Sequence, residues 1–232
     1  MEFSVIQKIA IFALPVIFAI TLHEAAHGYA AKYFGDPTAD RAGRISLNPI
    51  RHISLVGTVL VPALILLTSK LLGAGFILFG WAKPVPVDFT NLRHPKHDML
   101  WVALAGPASN FAMGIFWALV IRFGTLLGPL GNLIVLMGVA GVFINTVLMT
   151  LNLLPLPPLD GGRIAVSILP QPYASMYARI EPFGLVILIV LLYARVLDVI
   201  LLPMLTSMMA IIVGLVGISY PQYSLILNNL LR

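Results

Sequence analysis

The chain of 232 residues contains no cysteine and little charge. Without cysteine it forms neither disulfides nor thiolate–metal bonds, so any metal ion would need histidine, aspartate or glutamate ligands. Only 10% of its residues are charged, whereas 59% are hydrophobic. Soluble domains carry about 25% charged residues, so this composition predicts a polytopic protein of the lipid bilayer without a sizeable soluble domain.

The chain also lacks a basic run interleaved with aromatic residues, which is the usual pattern of nucleic-acid binding, so we expect no nucleic-acid partner. Its net charge of +5 is instead assigned to loops on the cytoplasmic side of a membrane. The first apolar run has no small-residue cleavage site, and we expect it to be retained instead of removed as a signal peptide.

Two histidines four residues apart follow an uncharged run at residues 9–22. On a helix, positions i and i+4 share one face, so His23 and His27 can reach the same metal ion. Glu24 lies about 100° further round the helix, where it suits a general base acting on a water molecule. The pattern H-E-x-x-H is the signature of zinc metalloproteases. Such a pair can also be satisfied by hydrogen bonds alone, although ionisable groups beside a membrane-length apolar run favour a function.

Asp160 is the best candidate for a third ligand, because it follows a proline-broken helix end and lies on the same predicted membrane side as the histidines. Two histidines and a carboxylate leave a fourth tetrahedral position for water, which is typical of a catalytic zinc site. The alternative is that Asp160 caps the N-terminus of the next helix.

The apolar segments predict an all-α polytopic membrane protein with about six transmembrane segments. They fall at about 4–34, 53–81, 99–121, 131–154, 183–201 and 204–219, with Pro203 between the last two. We divide the chain into a catalytic membrane core, 1–182, and a C-terminal transmembrane hairpin and tail, 183–232. Residues 71–81 are too few to cross ~30 Å as a helix, so we expect a re-entrant or extended return beside a water-filled cavity.

The polar, turn-rich residues 38–49 are expected to form a short β-hairpin or an extended segment near the active site. Such a segment could offer a strand edge to an extended peptide, and a plain loop is the alternative. The lysines and arginines favour a cytoplasmic end of the first span: ten of the fourteen then lie on that side. These ten are Lys32, Arg41, Arg44, Arg51, Lys83, Arg93, Lys96, Arg163, Arg179 and Arg232.

A second motif joins the first: residues 152–162 read N-x-x-P-x-P-x-x-D-G-G. Together the two motifs resemble the site-2 protease family of intramembrane zinc metalloproteases. Residues 106–110, which read G-P-x-x-N, and the loop 80–87 also resemble that family, particularly its short bacterial members. The resemblance extends from the first span to about Arg163. It departs from the wider family in having no insert long enough for a PDZ domain.

The resemblance implies that one Zn²⁺ per chain is held by three ligands, with a catalytic base beside them. The ligands are His23, His27 and Asp160, and the base is Glu24. It also implies that Asn152 and Asn110 lie near the substrate or the developing oxyanion, where an amide can donate a hydrogen bond. The alternative for both asparagines is a hydrogen bond between helices. Asn145, two turns before Asn152, is interpreted as a packing residue.

The expected function is therefore an intramembrane zinc endopeptidase that cleaves a partly unwound transmembrane helix of a substrate protein. The expected location is a bacterial inner (cytoplasmic) membrane, with the active site near the cytoplasmic side. A regulatory partner or a homo-oligomer is left open. One alternative is a metal-ion transporter or metal sensor with the same His and Asp ligands, which would not need Glu24 as a base. An inactive scaffold ranks last because every expected catalytic position is filled.

Overall fold

The computed structural model describes residues 3–52, 54, 57 and 83–231. Within these residues the regular secondary structure is helical throughout. The α-helices are α1 (Val5–Phe34), α2 (Thr38–Arg41), α3 (Pro95–Leu126), α4 (Asn132–Asn152), α5 (Asp160–Ile168), α6 (Tyr173–Ala178), α7 (Glu181–Tyr193), α8 (Asp198–Leu215) and α9 (Tyr220–Leu231). Short 3₁₀ turns lie at Pro49–Arg51, Phe89–Asn91 and Gly128–Gly131.

The ends of α1 are set by local sequence. The Ser4 hydroxyl accepts a hydrogen bond from the Gln7 amide, and the Gln7 side chain accepts one from the Ser4 amide, which forms a capping box. The helix ends at Gly35, whose φ of 111° is a left-handed conformation that glycine adopts without a Cβ penalty. Between these caps the helix runs for 30 residues.

In the part of the chain that the structure describes, four helices are long and apolar enough to cross a membrane, which agrees with a polytopic membrane protein. They are α1 (Val5–Phe34), α3 (Pro95–Leu126), α4 together with the 3₁₀ turn before it (Gly128–Asn152), and α8 (Asp198–Leu215). The prediction of about six spans is wrong for the described residues. Helix α7 has 13 residues and is about 20 Å long at 1.5 Å per residue, too short for the hydrocarbon core. The re-entrant or extended return predicted at residues 71–81 lies outside the described residues.

The predicted boundary at Pro203 is also wrong, because this proline lies inside α8. The chain turns earlier, between Tyr193 and Asp198, where Arg195 has a φ of 56°. A left-handed residue interrupts an α-helix more sharply than a proline in the first turns of the next one.

The β-hairpin predicted at 38–49 is not present: this described stretch begins with α2 and has no strand. Its side chains bond to their own backbone instead of leaving it free for strand pairing. The Ser46 hydroxyl accepts from the Asn48 amide, and the Asn48 side chain accepts from the Ile50 amide. The His52 ring also contacts the Ser46 carbonyl, at 2.7 Å.

Helices α1, α3 and α4 pack together and, with α8 and α9, enclose the main apolar core. The approach of α4 to α3 depends on glycine: a Cβ on Gly141 would lie 2.6 Å from Cδ1 of Trp117. On α9, Tyr223 and Leu230 are buried in the same core. Helix α5 packs against α3 and thereby brings its first residue, Asp160, towards α1.

Candidate metal centre

The two histidines of α1 lie on a buried face that packs against α3. Their exposed fractions are 7% for His23 and 8% for His27. Opposite them stands Gly106, where an added Cβ would lie 2.6 Å from the Cε1 atom of both rings. Glycine is therefore required at position 106, in the G-P-x-x-N stretch, because the two imidazoles lie close to the backbone of α3 there. Only a residue without a side chain leaves room for them.

The predicted ligand atoms converge on one point. The Nε2 atoms of His23 and His27 each lie 3.2 Å from Oδ2 of Asp160, and 3.1 Å from each other. Asp160 is buried at the first position of α5, and the N-cap position before it is Leu159. The alternative role of Asp160 as an N-cap is therefore not what the structure has.

The tautomers of both rings follow from their other nitrogens. Nδ1 of His27 lies 2.7 Å from the main-chain carbonyl of Val102, which can only accept, so we assign the proton to Nδ1. Nδ1 of His23 lies 2.6 Å from Oδ1 of Asn110, and the same assignment applies. Both Nε2 atoms then turn a lone pair towards Asp160.

This arrangement fits a zinc ion. With both rings protonated at Nδ1, two imidazole lone pairs and a carboxylate oxygen face one another, and Oδ2 of Asp160 is buried without a hydrogen bond. Burial of unpaired acceptors is costly unless a cation joins them. Zinc bonds of ~2.0–2.1 Å in a tetrahedron separate the ligand atoms by about 3.3 Å, close to the distances found here. His23, His27 and Asp160 therefore form a candidate zinc site.

Glu24 lies on the adjacent face of α1 and is half-buried. Its Oε2 accepts a hydrogen bond from the Val85 amide at 2.8 Å. Val85 belongs to a non-helical segment, residues 83–88, which Arg44 holds by donating to the Lys83 carbonyl at 2.7 Å. The carboxylate predicted to be the base therefore borders both the histidine helix and this segment.

The predicted asparagines occupy different surroundings. Asn110 is fully buried beside His23, and both hydrogens of its amide are used: Nδ2 donates to Ala19 O at 3.2 Å and to Asn145 Oδ1 at 3.0 Å. Asn152 is the last residue of α4, is half-buried and donates to Leu148 O at 3.0 Å. The contact of Asn145 with Asn110 is not predictable from the sequence, since the two residues are 35 positions apart on different helices.

The sequence of the chain is similar to those of known zinc metalloproteases. The chain is 34% identical over 199 residues to a Bacillus subtilis protein named as a zinc metalloprotease, YwhC, covering 84% of this chain and 85% of that protein. It is 27% identical over 198 residues to Rip2 of Mycolicibacterium smegmatis, which bears the same zinc metalloprotease name, covering 83% and 71% of the two chains. Rip2 of Mycobacterium tuberculosis is 29% identical over 184 residues, with coverage of 78% and 65%.

No protein-family model matches the chain, and no solved structure matches it. The assignment therefore rests on the curated relatives, and the match to YwhC spans most of both proteins at more than 30% identity. The family expected from the two sequence motifs is confirmed. The chain belongs to the site-2 protease family of zinc metalloproteases.

Proposed function

We propose that the protein is an intramembrane endopeptidase that hydrolyses a peptide bond within or near a transmembrane helix of a substrate protein. One observation supports the proposal: two imidazole nitrogens of a membrane-length helix meet a carboxylate oxygen of α5 at a buried point, and a second carboxylate, Glu24, lies one residue from His23. A structural metal site would need no such extra carboxylate beside it, whereas peptide hydrolysis needs a base.

The proposed roles follow from the chemistry of each group. His23, His27 and Asp160 would hold zinc, which when bound polarises the scissile carbonyl and lowers the pKa of a water towards ~7. Glu24 takes a proton from the attacking water at its carboxylate and delivers it to the leaving amine. Asn152 gives one amide hydrogen to Leu148 O, and its second amide hydrogen is the donor that we propose for the oxyanion.

The membrane setting restricts the substrate. A transmembrane helix keeps its carbonyls in its own hydrogen bonds, so the substrate must unwind locally before a carbonyl can reach the site. Glycine or another helix-weakening residue near the cleaved bond would assist. We propose that 1–182 form the catalytic core and 183–232 a C-terminal hairpin and tail, in a bacterial inner membrane with the site near the cytoplasmic side. Lys32 and Arg41, which follow the histidines, support that orientation.

The test is cleavage of a tagged single-span substrate with a helix-weakening residue by the purified protein in detergent, with zinc content measured on each variant. Wild type should contain zinc and cut. Glu24→Gln should keep zinc and lose at least about a hundredfold in rate, because the base is gone but the ligands remain. Asp160→Asn should lose both zinc and cleavage. The control Asp40→Asn removes an exposed carboxylate and should leave both unchanged.

Two results would contradict the proposal. Full cleavage by Glu24→Gln would remove the base assigned here. Zinc binding without cleavage of any of a panel of helix-destabilised substrates would turn the assignment towards metal transport, to be measured as metal flux into liposomes.

A further inference from the structure

A chain of buried hydrogen bonds runs from the candidate metal centre through three helices. It links His23 on α1 to Asn110 on α3 and then to Asn145 on α4, which donates to the main-chain carbonyl of Gly141 at 2.9 Å. Both asparagines have no exposed surface. Buried amides are costly unless their partners are in place, so each orientation in the chain is strongly determined.

The direction of every bond in this chain follows from two main-chain carbonyls that can only accept. Gly141 O requires the nitrogen of Asn145 to face it, which turns Asn145 Oδ1 towards Asn110. Ala19 O and Asn145 Oδ1 both require the nitrogen of Asn110. Oδ1 of Asn110 is then left facing His23 Nδ1, so this ring must carry its proton there and keep Nε2 free.

His27 reaches the same state by a different route. Its Nδ1–H is accepted directly by the main-chain carbonyl of Val102, with no side chain between. A backbone carbonyl cannot rotate or exchange its donor and acceptor ends, whereas a side-chain amide can. The tautomer of His23 therefore depends on Asn110 keeping its orientation, and Asn110 is oriented in part by Asn145.

We propose that Asn110 and Asn145 are a two-residue relay that positions His23 for metal binding by fixing its ring orientation and tautomer. Neither asparagine touches substrate in this role, and both amide hydrogens of Asn110 are already used, so it is a positioning residue and not the oxyanion donor. The inference rests on the proposed function only in taking His23 as a metal ligand. Its test therefore measures metal binding and needs no substrate.

The first measurement is zinc affinity by chelator competition on the purified protein in detergent. Asn110→Leu removes the acceptor of the His23 Nδ1–H and should weaken zinc binding about 10- to 100-fold, the usual cost of losing a partner of a metal-ligating histidine. Asn145→Leu leaves Asn110 anchored only by Ala19 O and should cost less, about three- to tenfold. Because Asn145 lies on another helix from every ligand, it keeps the proposal testable if Asn110→Leu does not fold.

The matched control is Thr146→Val. Thr146 is the next residue of α4, is equally buried and donates only to Val142 O, so the control removes a buried local hydrogen bond outside the relay. It should leave zinc affinity within about twofold. If both asparagine variants match Thr146→Val, the relay is overturned.

Two further readouts separate positioning from general packing. In a double-variant cycle, Asn110→Leu with Asn145→Leu should bind zinc no more weakly than Asn110→Leu alone, because Asn145 acts only through Asn110. Multiplying losses would contradict the relay. The visible spectrum of the Co²⁺-substituted protein at saturating cobalt should shift in both single variants and not in Thr146→Val.

These outcomes distinguish the relay from the proposed protease. A wild type that binds zinc but cuts nothing contradicts the protease and leaves the relay standing on its own affinities. A wild type that cuts and binds zinc, with affinities unchanged by both asparagine variants, contradicts the relay alone. A wild type that binds neither zinc nor cobalt overturns both.

Discussion

The two faces of α1 that carry the candidate site are built in different ways. His23 and His27 face α3 and are held by Asn110 and by the carbonyl of Val102, both on that helix. Glu24, one residue from His23, faces the non-helical segment 83–88 and accepts the amide of Val85. The face of α1 with His23 and His27, which we call the ligand face, is thus held in place by packing against another helix. The face with Glu24, the proposed base, contacts a non-helical segment that has no regular backbone hydrogen bonds of its own.

This difference suits the two tasks. Metal ligands must keep their spacing within a few tenths of an ångström, and α-helices with satisfied backbones provide that rigidity. The segment 83–88 has fewer means of orienting its backbone: Pro84 and Pro86 carry no amide hydrogen, which leaves Val85 between them as the donor to Glu24. Changes on the ligand face should therefore alter metal binding, and changes in the segment should alter turnover alone.

The largest effect is expected from Gly106→Ala on the ligand face. A Cβ there would lie 2.6 Å from Cε1 of both histidines, so the rings cannot keep their positions, and zinc affinity should fall at least about a hundredfold. Intrinsic helix propensity alone would instead predict a more stable protein, because alanine in a helix is favoured over glycine by about 1 kcal/mol. Zinc content and the unfolding temperature should be measured together.

Gly214→Ala is the matched control, because an added Cβ at this helical glycine meets nothing within 4 Å. It should leave zinc binding unchanged and raise the unfolding temperature slightly. If Gly106→Ala bound zinc like wild type, the close packing of α3 on the histidines would be wrong, and the contrast between the two faces would disappear.

The parts of the site that local spacing determines were predictable from the sequence. His23, Glu24 and His27 share one helix, so the 3.6-residue period alone sets which groups meet and which is offset. Asp160 required more: its predicted membrane side and its place after a proline-broken helix end favour it as the third ligand, and it reaches the histidines because α5 packs on α3. The need for glycine at position 106 is evident only from the distances between this residue and the two histidine rings.

The parts that depend on distant or competing hydrogen bonds were not predictable. The Asn110–His23 contact joins residues 87 positions apart, and periodicity carries no information at that range. The prediction of a hairpin at 38–49 was wrong because the Ser46 and Asn48 side chains accept hydrogen bonds from nearby backbone amides. A turn-rich composition is compatible both with such local hydrogen bonds and with strand pairing, so it does not tell the two apart. The boundary placed at Pro203 failed because a left-handed residue, Arg195, ends the preceding helix first.

A smaller effect, confined to turnover, is expected from Val85→Pro in the segment. This change removes the amide hydrogen that Glu24 accepts and keeps an apolar side chain. A hydrogen bond to a charged group is worth about 1.5–3 kcal/mol, so we expect cleavage to slow about tenfold or more while zinc content stays at the wild-type level. Val85→Ala keeps the amide hydrogen and should retain most of the activity. Equal losses of zinc and turnover in Val85→Pro would show that the two faces are not separable.

The smallest effect is expected where the segment meets the end of α1. Asp36 is buried, and its carboxylate accepts hydrogen bonds from the Thr38 hydroxyl, the Asn91 side chain and the Asp88 amide. Burial raises the pKa of this carboxyl group, but the hydrogen bonds from Thr38, Asn91 and Asp88 outweigh it and hold the pKa below its usual range. The charged form therefore stabilises the join between α1 and residues 88–91.

Because the pKa of Asp36 is lower in the folded state than in the unfolded chain, its contribution is fully present above the unfolded value of ~3.9 and is lost as the pH falls towards the lower, folded value. Asp36→Asn should lower the unfolding temperature by several degrees at neutral pH, and its difference from wild type should shrink below about pH 4. Zinc affinity should not change, since the ligand face is untouched. Asp40→Asn is the control, because the exposed pair of Asp40 with Lys32 contributes little. A difference between wild type and Asp36→Asn that stayed constant down to pH 3 would mean that this carboxylate does not stabilise the join through its charge.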